Sequence, residues 1–128
     1  MTAAKLQLAP LATSILKGDG RLDNTAITVR LVGTADTQSR PALETYVNQL
    51  HTEAVRIGVT KVVVDLRELE FMNSSCFKIF VAWLAQLRDL PADKQYRMHM
   101  HSNPKLLWQR RSLAALSCFA VDLVAIET

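Results

Sequence analysis

Hydrophobic and polar residues alternate along residues 25–32, TAITVRLV, where isoleucine, valine and leucine occupy one face and mostly polar side chains the other. This alternation predicts a half-buried strand. The sequence KGDG at residues 17–20 has the composition of a turn. Residues 12–16 are therefore predicted to pair with the strand as a hairpin.

The pattern then changes to that of an amphipathic helix. Across residues 42–57 the apolar positions lie three or four residues apart, with polar residues such as Glu53 between them on the outer face. Ser39 and Pro41 are typical of a helix start, and Gly58 is typical of a helix end. The sequence therefore predicts one long helix after the first strand.

The middle of the chain predicts a buried strand followed by a second helix. The segment VTKVVVDL at residues 59–66 is rich in β-branched residues and almost continuously apolar, which is typical of a central strand covered on both faces. A short connection, RELEFMNSS, follows it. An apolar helix is then predicted from Ser74 to about Leu90, where Pro91 would stop it.

Three further segments complete the order of elements. Residues 96–101, YRMHMH, alternate as a strand does. Residues 102–104, SNP, begin a third helix that ends near Ala115, and residues 119–126, FAVDLVAI, supply a last strand. Strands that alternate with helices predict one α/β domain over residues 1–128. Its mixed sheet is expected to have parallel central strands and an antiparallel N-terminal edge, and to pack against the helices.

Composition narrows the classes of function. A chain of 128 residues, 49% of them hydrophobic, can bury one core. A formal charge of +3 with 21% charged residues does not provide the dense basic surface that nucleic acid requires, so no nucleic-acid partner is expected. Cys76 and Cys118 lie far apart without CxxC spacing, which indicates free thiols in a reducing compartment.

No segment has the pattern of a membrane insertion signal. The apolar residues among positions 1–20 are interrupted by Lys5, Gln7 and Pro10, so no signal peptide is predicted and the segment is expected to stay on the mature protein. The longest uncharged apolar run, residues 79–87, is far shorter than the roughly 20 residues of a membrane helix. We therefore expect a soluble, cytoplasmic protein.

The junction FMNSSCFK at residues 71–78, together with the strand before it, resembles the signature of STAS domains, most closely that of bacterial anti-sigma factor antagonists. In that family a Phe-Met or similar pair precedes an Asp-Ser-Ser-Gly-Leu-Gly run and an apolar helix. The segment LVGTAD at residues 31–36 is similar to the Gly-x-x-Asp that closes an early strand in the same family, and it supplies Gly33 and Asp36. The order of elements matches from about residue 14 to 126.

The resemblance implies a regulatory module without catalysis and without a cofactor. Such domains bind an anti-sigma factor that is also a serine kinase, are phosphorylated by it on the first serine of the motif, and then dissociate. By position, Ser74 is the expected phosphoacceptor. The expected partner-binding surface includes Gly33, Asp36, Asn73, Ser74, Ser75, Cys76 and Lys78.

Physical chemistry is consistent with a phosphate at this position. If Asn73 or Ser74 caps the helix, the free N–H groups of its first turn point at the serine, and the helix dipole favours negative charge there. The added charge would change the surface that a partner contacts more than it would change folding. Asn73 replaces the family's aspartate, and Cys76 and Lys78 replace two glycines. These replacements leave open a member that binds without being phosphorylated.

Alternatives remain for several residues. Ser74 and Ser75 are also consistent with a plain helix cap. Ile79 and Trp83 lie together on a flank of the second helix, where they form either a protein-binding spot or core at the sheet edge. The alternative function is a STAS subunit of a transport ATPase, such as a lipid transporter, in which this helix makes a permanent contact.

Catalysis and metal binding are the least favoured interpretations. His99 and His101 share a strand face, but two imidazoles do not complete a zinc site, so we interpret them as half-exposed strand residues. Cys76 at a helix start, or a serine paired with His51 or His99, could act as a nucleophile. No known catalytic signature accompanies these residues.

Overall fold

The computed structural model describes residues 5–128. Predictions that concern residues 1–4 lie outside the described residues. The described chain forms six strands and three α-helices, with a 3-10 turn at Ala92–Lys94. In chain order these are β1 Leu11–Ala12, β2 Leu16–Asp23, β3 Ala26–Ala35, α1 Arg40–Ile57, β4 Lys61–Met72, α2 Ser74–Arg88, β5 Arg97–His101, α3 Leu107–Phe119 and β6 Val124–Glu127.

The six strands form one mixed sheet in sequential order, β1 to β6. Strands β1, β2 and β3 pair antiparallel, whereas β3, β4, β5 and β6 pair parallel. The predicted α/β fold, with parallel central strands and an antiparallel N-terminal edge, is confirmed. Within residues 5–128, none of the helices combines the length and the apolar character needed to cross a membrane.

The helices cover only one face of the sheet. In β4, Val62 and Val64 are completely buried, whereas Val63 and Asp65 on the opposite face are partly exposed. The prediction that this strand is covered on both faces is wrong. Its β-branched residues instead belong to a sheet that has one buried face and one face with mainly polar and charged side chains.

The KGDG sequence is part of a strand and does not form the turn of the hairpin. Residues 17–20 lie inside β2, and the turn to β3 occurs after Asp23, where Asn24 adopts a positive φ of 59°. Gly18 lies close to β3, because a Cβ there would lie 2.8 Å from the Leu31 side chain. Of the predicted strand at 12–16, only the two end residues belong to strands.

Strand β4 continues through most of the segment that was predicted as a connection. Two bulges each add one extra residue opposite β3, after Asp65 and after Leu69. Burial consequently changes from every second residue to every third, at Leu66, Leu69 and Met72. This three-residue spacing concealed the strand in the sequence, because a regular strand alternates with a period of two.

Strand β5 ends at His101, so among the described residues the rest of β4 has no neighbouring strand on that side. Side chains of α3 bond to this part of the β4 edge instead. The Gln109 side chain is buried and donates to the Leu66 carbonyl at 2.7 Å. The Trp108 indole N–H donates to the Leu69 carbonyl at 3.1 Å. Buried carbonyls of the strand edge thereby obtain partners without another strand.

The last two elements differ in extent from the prediction. The third helix was expected to begin at 102–104 and to end near Ala115, but α3 extends over Leu107–Phe119 because residues 102–106 form a loop between the end of β5 and the helix. The last strand was expected at 119–126, but β6 covers only Val124–Glu127, and turns follow the helix end.

Helix α1 has the predicted core face and the predicted glycine end, with Gly58 at φ 80°. The expectation that Glu53 lies on the outer face is wrong, because its side chain is 7% exposed. Its carboxylate accepts the backbone N–H of Gln7 at 2.6 Å and pairs with Arg56 at 2.8 Å. The N-terminal segment passes over this part of α1 and covers the glutamate.

Candidate functional site

The two separated sequence motifs meet at one edge of the sheet. Strands β3 and β4 run parallel and remain paired to their ends, where Ala35 lies opposite Met72. Residues 33–36 and residues 73–78 therefore lie together at the carboxyl ends of these strands, a common location for binding sites in open α/β sheets. We refer to these two segments as the serine site.

Asn73 is the residue that caps helix α2. Its backbone is extended, and its side-chain oxygen accepts the backbone N–H of Cys76 at 2.9 Å. Its own backbone N–H donates to the carbonyl of Ala35 at 2.9 Å. Ser74 is the first residue of the helix and is exposed. The helix-cap interpretation thus applies to Asn73, and the Ser74 hydroxyl is not needed for this bond.

Asp36 organises the loop between β3 and α1. Its carboxylate accepts the backbone N–H groups of Gln38 at 2.9 Å and of Ser39 at 3.3 Å. In return, the buried Ser39 hydroxyl accepts the backbone N–H of Asp36 at 2.9 Å. This reciprocal arrangement resembles a helix cap. Asp36 therefore has a structural role of the kind that aspartate commonly has in turns.

Two side chains connect this loop to the start of α2. The Asn73 amide nitrogen lies 3.4 Å from the Thr37 hydroxyl, and the Cys76 sulfur lies 3.4 Å from the carbonyl oxygen of Asp36. The two segments of the serine site are therefore held to each other by side chains as well as by strand pairing.

Cys76 is completely buried, so its side chain offers no surface to a partner in this structure. The prediction that it contacts a partner directly is corrected accordingly. Burial raises the pKa of its thiol, and the nearby Arg40 guanidinium only partly opposes this effect. A buried thiol with a raised pKa is not an activated nucleophile, although the residue lies in the first turn of a helix.

Gly33 is required by the backbone. Its φ is +113°, and a Cβ at this position would lie 2.1 Å from the carbonyl oxygen of Ile15. The same oxygen accepts the backbone N–H of Thr34 at 2.9 Å. The glycine thus allows the chain between β1 and β2 to pass close to β3, which is sufficient reason for its presence.

Trp83 belongs to the core, which is one of the two alternatives that the sequence left open for it. Its side chain is 1% exposed, and Ile79 beside it is 4% exposed. The indole N–H donates to the Tyr96 hydroxyl at 2.6 Å, and this hydroxyl lies 2.7 Å from the Nδ1 atom of His51. Helix α2 has α1 and α3 on its two sides, so both flanks of the helix are covered.

The exposed side chains of the serine site lie in the first turns of helix α2. Ser74 and Lys78 are exposed and lie one turn apart on the same face of α2, whereas Ser75 is half-buried. Phe71, just before the site, is 48% exposed. The sequence analysis did not select Phe71, because its exposure depends on the bulges of β4.

His99 and His101 share a carboxylate on the open face of the sheet. The Nδ1 atom of His99 and the Nε2 atom of His101 lie 2.7 and 3.0 Å from the two carboxylate oxygens of Glu127. Glu127 was missed because it reaches the histidines only through the pairing of β5 with β6. Among residues 5–128, no group of three or more such side chains is arranged to hold a metal ion.

No family model and no curated protein sequence matches the chain. Solved structures that are similar to it in fold include two anti-sigma factor antagonists. An anti-sigma factor antagonist from Mycobacterium paratuberculosis superposes with a TM-score of 0.64 and 18% identity, over 94% of this chain and 90% of that chain. The anti-sigma factor antagonist SpoIIAA in its unphosphorylated form gives a TM-score of 0.59 and 18% identity, over 87% and 88%. The chain therefore has the fold of these anti-sigma factor antagonists, the STAS fold.

Proposed function

We propose that the chain is a cytoplasmic regulatory module that binds an anti-sigma factor, that this partner is also a serine kinase, and that phosphorylation of Ser74 releases it. The two similar structures support a protein-binding role of this type, since both are anti-sigma factor antagonists. The binding surface consists of the accessible parts of the serine site, with Ser74 and Lys78 at its centre.

The observation that carries the proposal is the division of roles between Asn73 and Ser74. A serine that caps a helix has its oxygen engaged by a backbone N–H group. Here Asn73 provides that oxygen, so the exposed Ser74 hydroxyl can accept a phosphoryl group without loss of the cap. The sequence places the two residues side by side, but only the geometry distinguishes their roles.

A phosphate on Ser74 would change binding more than folding. It would lie at the N-terminal end of α2, where the helix dipole and free N–H groups favour negative charge. Lys78, one turn later, is exposed and able to pair with it. The added charge of about −2 would face the partner, where it repels acidic groups.

The alternative, a permanent subunit of a transport ATPase, has less support. It assigns a permanent contact to helix α2, and Trp83 of this helix is buried. Catalysis by the chain itself also has little support, because the thiol of Cys76 is buried and His51 is engaged by Tyr96. We therefore propose a protein-binding function without catalysis.

The proposal is tested with purified serine-kinase anti-sigma factors encoded in the same genome as the chain. Each is mixed with wild-type protein, with and without ATP, and phosphorylation sites are located by mass spectrometry. We expect one kinase to bind, to phosphorylate Ser74 and then to dissociate. Ser74→Ala should bind without ATP-dependent release, whereas Ser74→Asp should bind weakly.

Ser75→Ala is the matched control, because it removes the neighbouring hydroxyl and should leave phosphorylation at Ser74 intact. Phosphorylation at Ser75 instead of Ser74 would contradict the assignment. Binding to a kinase that is equally strong for wild type and Ser74→Asp would support a module that is not controlled by phosphorylation. A stable complex of both forms with a membrane-associated ATPase would favour the alternative.

A further inference from the structure

Phe71 is an exposed aromatic side chain directly beside the serine site. It is 48% exposed, and it lies three residues before Ser74 at the end of β4. Among residues 5–128, the other exposed large apolar side chains are Leu107, Phe119 and Val121. An aromatic residue at this position leaves apolar area in water unless a partner covers it.

The fold holds Phe71 in this position. Leu69 and Met72 on either side are buried, at 0% and 7% exposure, and Phe71 itself pairs with Thr34 of β3. The bulge after Leu69 adds the residue that turns Phe71 away from the core. Its exposure is therefore a feature of a paired strand and does not result from a loose chain end.

Near Phe71, the exposed charge on helix α2 is positive and the exposed charge on strand β4 is negative. Lys78 is exposed on the same face of α2 as Ser74. The carboxylate of Asp36 is already engaged by two backbone N–H groups, and Glu70 is an exposed carboxylate on the strand side. A partner that contacts the helix side therefore meets the Lys78 ammonium group, which forms no ion pair within residues 5–128 and which acidic side chains complement.

We infer that Phe71 is the apolar anchor of the partner interface and that Lys78 is its charged rim, with Ser74 between them in sequence. The partner then presents an apolar pocket to Phe71 and carboxylates to Lys78. This inference rests on the proposed function and adds the chemistry of the partner surface. A phosphate on Ser74 would pair with Lys78 and repel the partner's carboxylates, and both effects weaken the same complex.

The test uses the serine-kinase anti-sigma factor that binds the wild-type chain, with rates measured at several salt concentrations. Phe71→Ser should weaken binding at least about 10-fold, mainly through faster dissociation, because buried aromatic anchors dominate interface energies. Phe71→Leu should retain most of the affinity. Val121→Ser is the matched control, since Val121 is 68% exposed and precedes β6, away from the carboxyl ends of the parallel strands.

Lys78→Gln should slow association and reduce its dependence on salt, because rim charges act mainly on the encounter. Lys94→Gln, which removes an exposed charge from the turn between α2 and β5, should leave both quantities unchanged. If the kinase binds and Ser74→Asp abolishes binding, but Phe71→Ser and Lys78→Gln match their controls, the inference is overturned while the proposed function stands. If no kinase binds, both are overturned.

Discussion

Asn73 and Cys76 are joined by a hydrogen bond of 2.9 Å in which the Asn73 side chain accepts the backbone N–H of Cys76. The bond closes the first turn of α2 around Ser74, which remains exposed. Neighbouring residues thus have separate roles, since one stabilises the helix and the next presents a hydroxyl. This separation can be tested by stability measurements that require no knowledge of the partner.

Asn73→Ala should lower the free energy of unfolding by about 1 kcal/mol, because the Cys76 N–H group loses its acceptor. Ser74→Ala should change it by no more than about 0.5 kcal/mol, the usual range for an exposed position without such a role. Urea unfolding monitored by circular dichroism measures both. An equal loss in the two variants would mean that Ser74 shares the capping role.

Ser74→Asp should leave the fold intact and stabilise it by up to about 1 kcal/mol at low ionic strength, since a negative charge in the first turn interacts favourably with the helix dipole. Gln86→Asp is a control in the last turn of the same helix, where the dipole has the opposite sign. It should destabilise the protein. If Ser74→Asp unfolds the chain, loss of binding in that variant cannot be attributed to its surface.

Gly33→Ala should destabilise the protein by at least about 3 kcal/mol, because positive φ is costly for alanine and the new Cβ collides with the Ile15 carbonyl. Gly58→Ala tests the φ contribution alone, because Gly58 has φ +80° and a Cβ added there would have no heavy atom within 4 Å. It should cost about 1 kcal/mol. Similar losses in the two variants would show that the close approach of Ile15 does not matter.

Much of the fold was predictable because hydrophobic periodicity reports which face of an element is buried. The alternation in residues 96–101 correctly predicted β5, and the spacing in residues 42–57 correctly predicted α1. Periodicity failed where the backbone is irregular. The bulges of β4 replaced alternation with a three-residue spacing, and the glycines at 17–20 lie within a strand, close to side chains of β3.

The proximity of the two motifs was predictable from the order of strands and helices, but the exposure of individual side chains was not. Exposure depends on neighbours that are distant in the sequence. Trp83 is buried beside Tyr96, whose hydroxyl also contacts His51 of α1. Cys76 is buried against the loop of Asp36. Phe71 is exposed because a bulge turns it outward. Such information is absent from local sequence patterns.

Trp83→Ala should reduce the free energy of unfolding by about 3–5 kcal/mol, because it leaves a cavity in the core. The Tyr96 hydroxyl would also lose the indole donor. Trp83→Phe should cost less, since it retains most of the volume. Thermal unfolding of both variants checks this order. A Trp83→Ala protein as stable as wild type would contradict the burial of this side chain.

The hydroxyl of Tyr96 lies between the indole of Trp83 and the imidazole of His51. The indole can only donate, so the tyrosine oxygen accepts from it, at 2.6 Å. The tyrosine proton is then available for the Nδ1 atom of His51, 2.7 Å away. This arrangement satisfies all three groups when the imidazole is neutral and carries its proton on Nε2.

Stability should therefore decrease in mild acid through His51. Burial lowers the pKa of His51 below its usual 6.5 in the folded state, so the unfolded chain binds the proton more readily. The contribution is fully present above pH 6.5 and is lost as the pH falls from there towards the folded-state pKa. The carboxyl groups of Glu53 and Glu127, whose pKa values are lowered from 4.5, lose their contributions only at lower pH.

Urea unfolding of wild type and His51→Gln between pH 7.5 and about 5 isolates this contribution, since the two proteins share all other titrating groups. The glutamine variant should be less stable than wild type at pH 7.5, because it disturbs the bond to Tyr96. We expect the difference in unfolding free energy to narrow as the pH falls below about 6.5, where only wild type continues to lose the histidine contribution. A difference that stays constant over this range would mean that the imidazole has the same pKa in both states, and a widening difference would mean that the folded protein favours its charged form.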